Sequence, residues 1–407
     1  MLKPILSASA IALLAATPAL SQEISTSADD TARLPVIYVA GLRPVDIDAV
    51  TSTVSVLDAE QLGIRDTPYV ADQLRAVPGV TISRSGSVGS LTQVRMRGAE
   101  ANHTLVLLDG VEFSDPVNGE TDFGLLSGLD LGRVEVLSGE QSSLYGSDAI
   151  GGVIALYTSE TPGLRAAIEG GSFGTVRGSA DYNTSSDNAR FGVAVSGFTT
   201  DGVDSAGLDG EKDGSDSASG LVQAAFDLDP NWTFSGLASY RESTAQTDPD
   251  TDFDGFLNNG DRETESEQMI FGGALSGTTG PVDHVFRANF NRVERTNYAD
   301  GQYTDETVGE RSKVSWSPSI TLDTDAAIHT FSAIVDYENE DYTRASNNTA
   351  FGDPNQSKQF ETLGAAVEYR LDLANLQIDL SARHDENDGQ FEDATTWRAG
   401  AGYSFDF

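Results

Sequence analysis

The chain has 407 residues, 63 acidic against 25 basic, a formal net charge of −38, and no cysteine. So acidic a surface opposes a phosphate backbone everywhere, which excludes nucleic acid as a partner. The missing thiols exclude disulfide staples and cysteine chemistry, while the length leaves room for two or three domains with a large core.

Residues 1–21, "MLKPILSASAIALLAATPALS", carry a lone Lys3, an apolar run from Ile5 to Ala16 and the small-residue close Ala19-Leu20-Ser21. This pattern reads as a secretory signal cleaved before Gln22. The run is shorter than the ~20 residues of a membrane-spanning helix and is broken by Pro18. Next comes "RLPVIYVAGLRP" (33–44), an extended apolar segment with polar flanks, suited to strand addition onto a partner or to being the first strand of the adjoining domain.

From 49 to 159 dense apolar runs alternate with short Gly-bearing turns: "STVSVLD", "GVTI", "TLVLLDGV", "RVEVL", "GVIALY". One stretch, "TPYVADQLRAVPG" (67–79), predicts a helix, with Thr67 able to cap, Val70, Leu74 and Val77 at helical spacing, and Pro78-Gly79 as a stop. The region reads as a small mixed α/β domain. Its last part, "RVEVLSGEQSSLYGSDAIGGVIAL" (133–156), places Gly139, Gly146, Gly151, Gly152 and Tyr145 between two strand-like runs. Glycines so placed mark close backbone approach.

From 160 onward the pattern becomes two-residue alternation in about a dozen segments, from "LRAAIEGGS" to "WRAGAGYSFDF". Tight connections such as "DPN" (229–231) and "TGP" (279–281) contrast with long acidic ones at 201–218 and 243–265. Trp232, Tyr240, Phe286, Tyr337, Tyr369, Trp397, Tyr403 and Phe405 lie near segment ends or on one face. Short turns on one rim, long loops on the other and aromatic girdles predict an antiparallel transmembrane β-barrel; a soluble β-sandwich, whose inner face also alternates, is the competing reading.

The connection "QTDPDTDFDGFLNNGD" (246–261) sets Asp248, Asp250, Asp252 and Asp254 at alternate positions ahead of Gly255. That spacing can present oxygens to calcium from one concave turn. Asp204, Asp209, Asp213 and Asp216 make a second carboxylate-rich connection. Mutual repulsion would keep both mobile until a divalent cation bridged them; the alternative is two acidic loops that only solvate a surface. His103, His284, His329 and His384 share no zinc-ligand spacing, and no Ser-His-Asp order or paired catalytic acid stands out, so no enzyme is expected.

Four pieces in order, "DQLRAVPGV" (72–80), "VRMRG" (94–98), "NHTLVLLDGV" (102–111) and "RVEVLSGEQSSLYGSDAIGGVI" (133–154), resemble the plug of a TonB-dependent outer-membrane receptor. The resemblance implies an N-terminal α/β plug domain followed by antiparallel transmembrane β-barrel strands, about 12 present of an expected 22. It divides the chain into a signal peptide (1–21), a periplasmic segment (22–48), the plug (49–159) and a partial barrel (160–407). The TonB box would be Leu34, Pro35, Val36, Ile37, Tyr38, Val39 and Ala40, although Pro35 and Tyr38 depart from the family's usual form.

Within the family, "RGAEANHTLVLLDGV" and "SLYGSDAIGGVI" resemble the cobalamin-receptor branch most. That branch implies uptake of cobalamin or another corrinoid, coupled to the TonB complex in the periplasm, from a place in outer-membrane lipid. Ligand would sit over plug turns that carry Ser85, Ser87, Ser90, Gln93, Asp115 and Asn118. Calcium would be held by Asp209, Asp213, Asp216, Asp248, Asp250, Asp252 and Asp254. Arg97 and Arg133 would form salt links from plug to barrel wall, Tyr145 would fill the joint, and Gly146, Gly151 and Gly152 would let the backbone approach the wall. A ferric-siderophore receptor is the alternative ligand class; aromatic plug apices would favour it, and these are rich in Ser and Gly.

At ~20 residues per strand and connection, the barrel region falls short of 22 strands. The likeness of "LQIDLSARHDENDGQFEDATTWRAGAGYSF" to the middle of that barrel favours a truncated copy, with a nonfunctional remnant as one outcome. The alternation of Tyr403, Phe405 and Phe407 favours instead a small receptor with a terminal strand.

Overall fold

The computed structural model describes residues 36–405, apart from 66, 68, 87, 127, 208, 209, 350–352 and 390. The expected signal peptide therefore lies outside the described residues.

The first part runs β1 (Val36–Ile37), β2 (Val45–Asp46), β3 (Thr53–Asp58), α1 (Ala59–Arg65), α2 (Val70–Leu74), β4 (Val80–Arg84), β5 (Thr92–Met96), β6 (Thr104–Leu108), β7 (Val111–Glu112), β8 (Leu131–Ser138), α3 (Ser142–Tyr145) and β9 (Gly152–Thr158). Five strands form one mixed sheet in the order β3-β8-β9-β6-β7, with β6 and β9 parallel. Its strands are nearly all apolar because both faces are covered. Val106, Leu108, Val134, Val136, Ile154 and Leu156 enter one core cluster, and Leu105, Leu137, Val153 and Ala155 on the opposite parity enter another with Ile37, Val39 and Val45.

The predicted helix is shorter than its pattern. α2 starts after Tyr69, whose N–H donates to Thr67 Oγ1 at 3.4 Å, and ends at Leu74, four residues before the Pro78-Gly79 stop. The two-turn helix α1 was not legible, since its sequence AEQLGIR buries only Leu62 among the described side chains and contains the weak helix former Gly63.

The second part is one antiparallel sheet of 12 strands, each paired with the next in the chain. They are β10 (Gly163–Gly170), β11 (Val176–Ser186), β12 (Ala189–Val203), β13 (Asp213–Asp229), β14 (Trp232–Thr247), β15 (Arg262–Thr279), β16 (Val282–Ala299), β17 (Gln302–Asp323), β18 (Ile328–Ser346), β19 (Gln356–Leu373), β20 (Leu376–Asn387) and β21 (Ala394–Tyr403). Each expected segment coincides with one strand. Several strands run further than expected toward the long-loop rim, so the acidic connections shrink to 204–212 and 248–261. The sheet is open, with β10 and β21 as its edges.

The sheet's polarity sets it apart from a sandwich. Along β16, Phe286, Ala288 and Phe290 point one way and Arg287, Asn289 and Asn291 the other, toward the plug, where Asn291 Nδ2 donates to the Ser114 carbonyl at 2.7 Å. The apolar face looks outward, and near the short-turn rim it carries the stacked rings of Trp232, His284 and Trp316. β17 spans 22 residues, about 70 Å at ~3.3 Å per residue, whereas ~10 residues cross a bilayer, so the wall extends past the hydrocarbon on the loop side. Among the described residues no helix is long and apolar enough to cross a membrane.

Candidate functional site

Three constellations join the plug to its surroundings. The first lies at the short-turn rim and holds the N-terminal segment. Leu34 and Pro35 are outside the described residues, and Val36–Ala40 is seated against the plug sheet. Val36 and Ile37 pair with Asp46 and Val45. Tyr38 and Val39 donate their backbone N–H groups to Glu135 Oε2 at 2.9 and 3.2 Å. Arg133 Nε donates to Glu135 Oε1 at 2.7 Å, and its Nη2 to the Val36 carbonyl at 2.6 Å. The guanidinium also lies 5.8 Å from the centre of the Tyr38 ring. Burial raises the Glu135 pKa above the usual carboxylate range, against the pull of Arg133 and the two N–H donors. Downstream, Leu42 donates to Glu368 Oε2 at 3.1 Å and Arg43 Nη2 to the Ser317 carbonyl at 2.6 Å, which ties the segment to the wall.

The second constellation is the seam between plug and wall, and here the sequence expectation is corrected. Arg97 is exposed and forms no ion pair among the described residues, while Arg133 pairs within the plug. The ionic links run the other way, from arginines of the wall to carboxylates of the plug. Arg311, 5% exposed, meets Glu112 and Asp148 of the plug and also Glu340 of the wall. Arg295 meets Asp115 at 2.9 Å, and Arg165 meets Asp130. Gln268 Nε2 donates to the Phe113 carbonyl at 2.9 Å. The signal for these residues was available: they stand on the inward parity of alternating strands, where a polar side chain must find a partner in the plug.

Tyr145 fills a joint, with its hydroxyl donating to the Val39 carbonyl at 3.2 Å and burial raising its pKa. Gly146, at φ +93°, lies beside Arg383 of the wall. Gly151 and Gly152, by contrast, make room for the plug's own His103 carbonyl, Leu137 carbonyl and Met96 side chain rather than for the wall. A cavity of about 280 Å³ lies between the Asp109-Gly110 turn and the wall, bordered by Gln223, Arg287 and Asn289.

The third constellation is the long-loop rim. Among the plug turns, Ser85 and Asn118 are exposed, whereas Ser90 and Asp115 are at most 3% exposed and Gln93 is engaged with Glu120 at 2.7 Å. Ser87 and Asp209 are outside the described residues. Asp213 and Asp248 are buried and close enough to share a hydrogen bond, and Asp248 ties the two acidic loops by accepting from Ala206 and Gly260 at 2.8 and 3.0 Å. Asp250, Asp252 and Asp254 bring one carboxylate oxygen each within 4.8 Å of the others. Asp250 Oδ1 is buried with no hydrogen-bond partner. An orphaned carboxylate oxygen in an all-oxygen triad fits a hard divalent cation. Asp216 stands apart, exposed within β13.

Comparison with known proteins yields two family matches, "TonB-dependent Receptor Plug Domain" over residues 46–153 and "TonB dependent receptor-like, beta-barrel" over residues 164–406. The chain is 24% identical over 390 residues to the vitamin B12 transporter BtuB of Photobacterium profundum, covering 93% of this chain and 61% of that protein. It is 26% identical over 393 residues to BtuB of Vibrio vulnificus, covering 94% and 61%. It thus spans about three fifths of the length of these relatives. The fold is similar to the crystal structure of a ferric enterobactin receptor (PfeA) mutant of Pseudomonas aeruginosa, with a TM-score of 0.71 at 15% identity over 87% of this chain and 60% of that one. The siderophore receptor PiuA of Acinetobacter baumannii gives 0.66 at 15% identity over 91% and 64%.

Proposed function

We propose, from the premise that this chain belongs to the TonB-dependent receptors of the outer membrane, that it binds a large, scarce ligand at the long-loop rim for TonB-driven uptake, and that the ligand is a corrinoid such as vitamin B12. The observation that carries the ligand class is the acidic rim, where Asp248 joins two loops and Asp250 offers a buried, unpartnered oxygen beside Asp252 and Asp254. Calcium, when bound, would neutralise these carboxylates and fix both loops over the exposed Ser85 and Asn118, a polar floor suited to hydrogen-bonding a large ligand. The relatives named as vitamin B12 transporters support the same ligand.

A ferric siderophore is the second reading, favoured by the receptors of similar fold. Equilibrium binding of cyanocobalamin and of ferric enterobactin to the chain in detergent, with calcium and with chelator, separates the two. Cyanocobalamin binding that weakens about tenfold or more on chelation, and likewise in Asp250→Asn, is the expected result. Chelator-insensitive affinity for cyanocobalamin would remove the calcium role, and binding of the ferric ligand alone would replace the corrinoid.

At the other rim, the Val36–Ala40 segment would be the element that the periplasmic energy-coupling protein captures by strand addition.

A further inference from the structure

The cavity between the Asp109-Gly110 turn and the wall has no part in the reading above. Strand register explains why it is open. One row across the wall runs Arg190, Ala225, Ser235, Ala274 and Arg287, each paired with the next on the neighbouring strands β12 to β16. All five line the cavity of about 280 Å³. The three small residues in the middle leave space that the plug does not fill, and an arginine stands at each end. Asn289 follows Arg287 on the same parity of β16. Tyr157 reaches the cavity from β9 of the plug, within electrostatic range of the Arg287 guanidinium.

The distribution of charge singles out Arg287. Among wall cations that face inward, Arg165, Arg295, Arg311, Arg370 and Arg383 each meet a carboxylate. Arg241 meets none among the described residues, but it is buried with its guanidinium over the Phe113 ring. Arg287 is exposed to the cavity. Its guanidinium, the Asn289 amide and the Tyr157 hydroxyl have no hydrogen-bond or ion-pair partner among the described residues. The carboxylates on the cavity border are engaged: Asp109 accepts from Thr158 with both oxygens, and Glu160 stands 3.9 Å from Arg190. In a chain of net charge −38, an accessible cation with free donors beside it is a place for an anion.

We propose that Tyr157, Arg287 and Asn289 form a subsite for an oxyanion, a phosphate or carboxylate group, on the short-turn side of the plug. A guanidinium fork binds two oxygens of such a group side by side, and the amide and hydroxyl donate to what remains. The cavity falls just below the size that holds a whole drug-sized ligand, so it takes one anionic group of a larger molecule or a free ion. A transport role rests on the receptor reading above: the phosphodiester of a corrinoid would be held there after passing the plug.

The test uses the absence of cysteine from the natural sequence. Ala274→Cys puts a single thiol beside Arg287, and its modification is timed in the full chain in detergent. An anionic methanethiosulfonate is expected to outpace a cationic one, relative to their rates on a free thiol, and Arg287→Gln should lower that ratio about tenfold. An unchanged ratio overturns the subsite. Inorganic phosphate at constant ionic strength should slow modification by a neutral maleimide about threefold or more. The slowing should disappear in Arg287→Gln and weaken in Tyr157→Phe and Asn289→Ala. Arg287→Lys separates charge from site: the reagent ratio stays, while phosphate protection falls because the fork is gone. Phosphate protection that persists in Arg287→Gln, or that is missing in Ala274→Cys alone, overturns the subsite.

Cyanocobalamin is the second probe. Protection by it that Arg287→Gln abolishes and Asp250→Asn leaves intact supports the transport role, because the latter variant alters only the far rim. Protection by phosphate alone keeps the subsite and overturns the transport role. Loss of cyanocobalamin binding at the rim would not alter the phosphate result, so the two readings fail separately.

Discussion

On β9 of the plug, Val153 and Ala155 face one core cluster, Ile154 and Leu156 face the other, and all four are essentially inaccessible. On β18 of the wall, Phe331 and Val335 are nearly half exposed, whereas Ser332 and Asp336 on the other parity are buried. Both strands obey the same two-residue period. In the plug both parities are apolar because each face has a partner. In the wall the apolar parity faces lipid and the buried parity is polar, its charges paired across neighbouring strands, as Asp336 is with Arg383, or with the plug, as Arg311 is with Glu112. Burial and hydrophobicity therefore run together in one region and apart in the other, and stability should respond differently to substitution in each.

The sharpest break would come at Arg311. Arg311→Ala leaves Glu112 and Glu340 without the buried cation they share, while Lys313 still pairs with Glu338, and the expected loss is about 3–5 kcal/mol in denaturant unfolding in detergent. Val335→Ala, on the lipid face of the neighbouring strand, should cost under about 1 kcal/mol. Equal losses would erase the distinction between the wall's two faces. The plug provides the converse: Ile154→Ala, in the middle of the sheet, is expected to cost about 3 kcal/mol through the cavity it leaves.

The wall was legible because alternation survives any uncertainty about partners: each predicted segment overlaps one strand. The strand ends toward the loops were not legible, since "DGSDSAS" (213–219) and "RETES" (262–266) are polar on both parities and carry no period. The plug was legible through its ordered motifs and dense apolar runs. The seam was misread at Arg97 and Arg133 because a buried guanidinium requires a carboxylate and the sequence holds 63 acidic residues, without saying which is near. Arg133 finds its partner only two residues away along the same strand. Glu135 went unnoticed inside "RVEVL", where a single charge in an apolar run was the available signal.

Close approach of plug and wall gives a smaller test of the same comparison. A Cβ at Gly272 of β15 would stand 2.1 Å from Val111 Cγ2, whereas a Cβ at Gly220 of β13 would meet nothing within 4 Å. Gly272→Ala should destabilise the seated plug by about 1–3 kcal/mol through overpacking. Gly220→Ala should be neutral or slightly stabilising, since it removes only backbone freedom from a strand. A neutral Gly272→Ala would mean that the β6–β7 hairpin sits loosely against the wall.

The smallest effect concerns pH and the tip of that hairpin. Asp109 occupies the turn at φ +48° and accepts from the Thr158 N–H at 3.0 Å and its hydroxyl at 2.8 Å. Burial outweighs these bonds and raises its pKa to about 6. In the unfolded chain an aspartate titrates near ~3.9, so between about pH 4 and pH 6 the folded plug binds a proton that the unfolded chain has released. Stability from this group is therefore fully present below about pH 4, declines as pH rises through about 6, and levels off above. With discount for the solvent that reaches the side chain, the decline should amount to about 1–2 kcal/mol. Thermal unfolding in detergent from pH 4.5 to 7.5, compared with Asp109→Asn, isolates it: the variant keeps a residue that tolerates positive φ and should lose this part of the slope. An identical slope in both proteins would show that the turn is wetter than its packing against Thr158 implies, and that the polarity of the wall, not of the plug, sets the pH response.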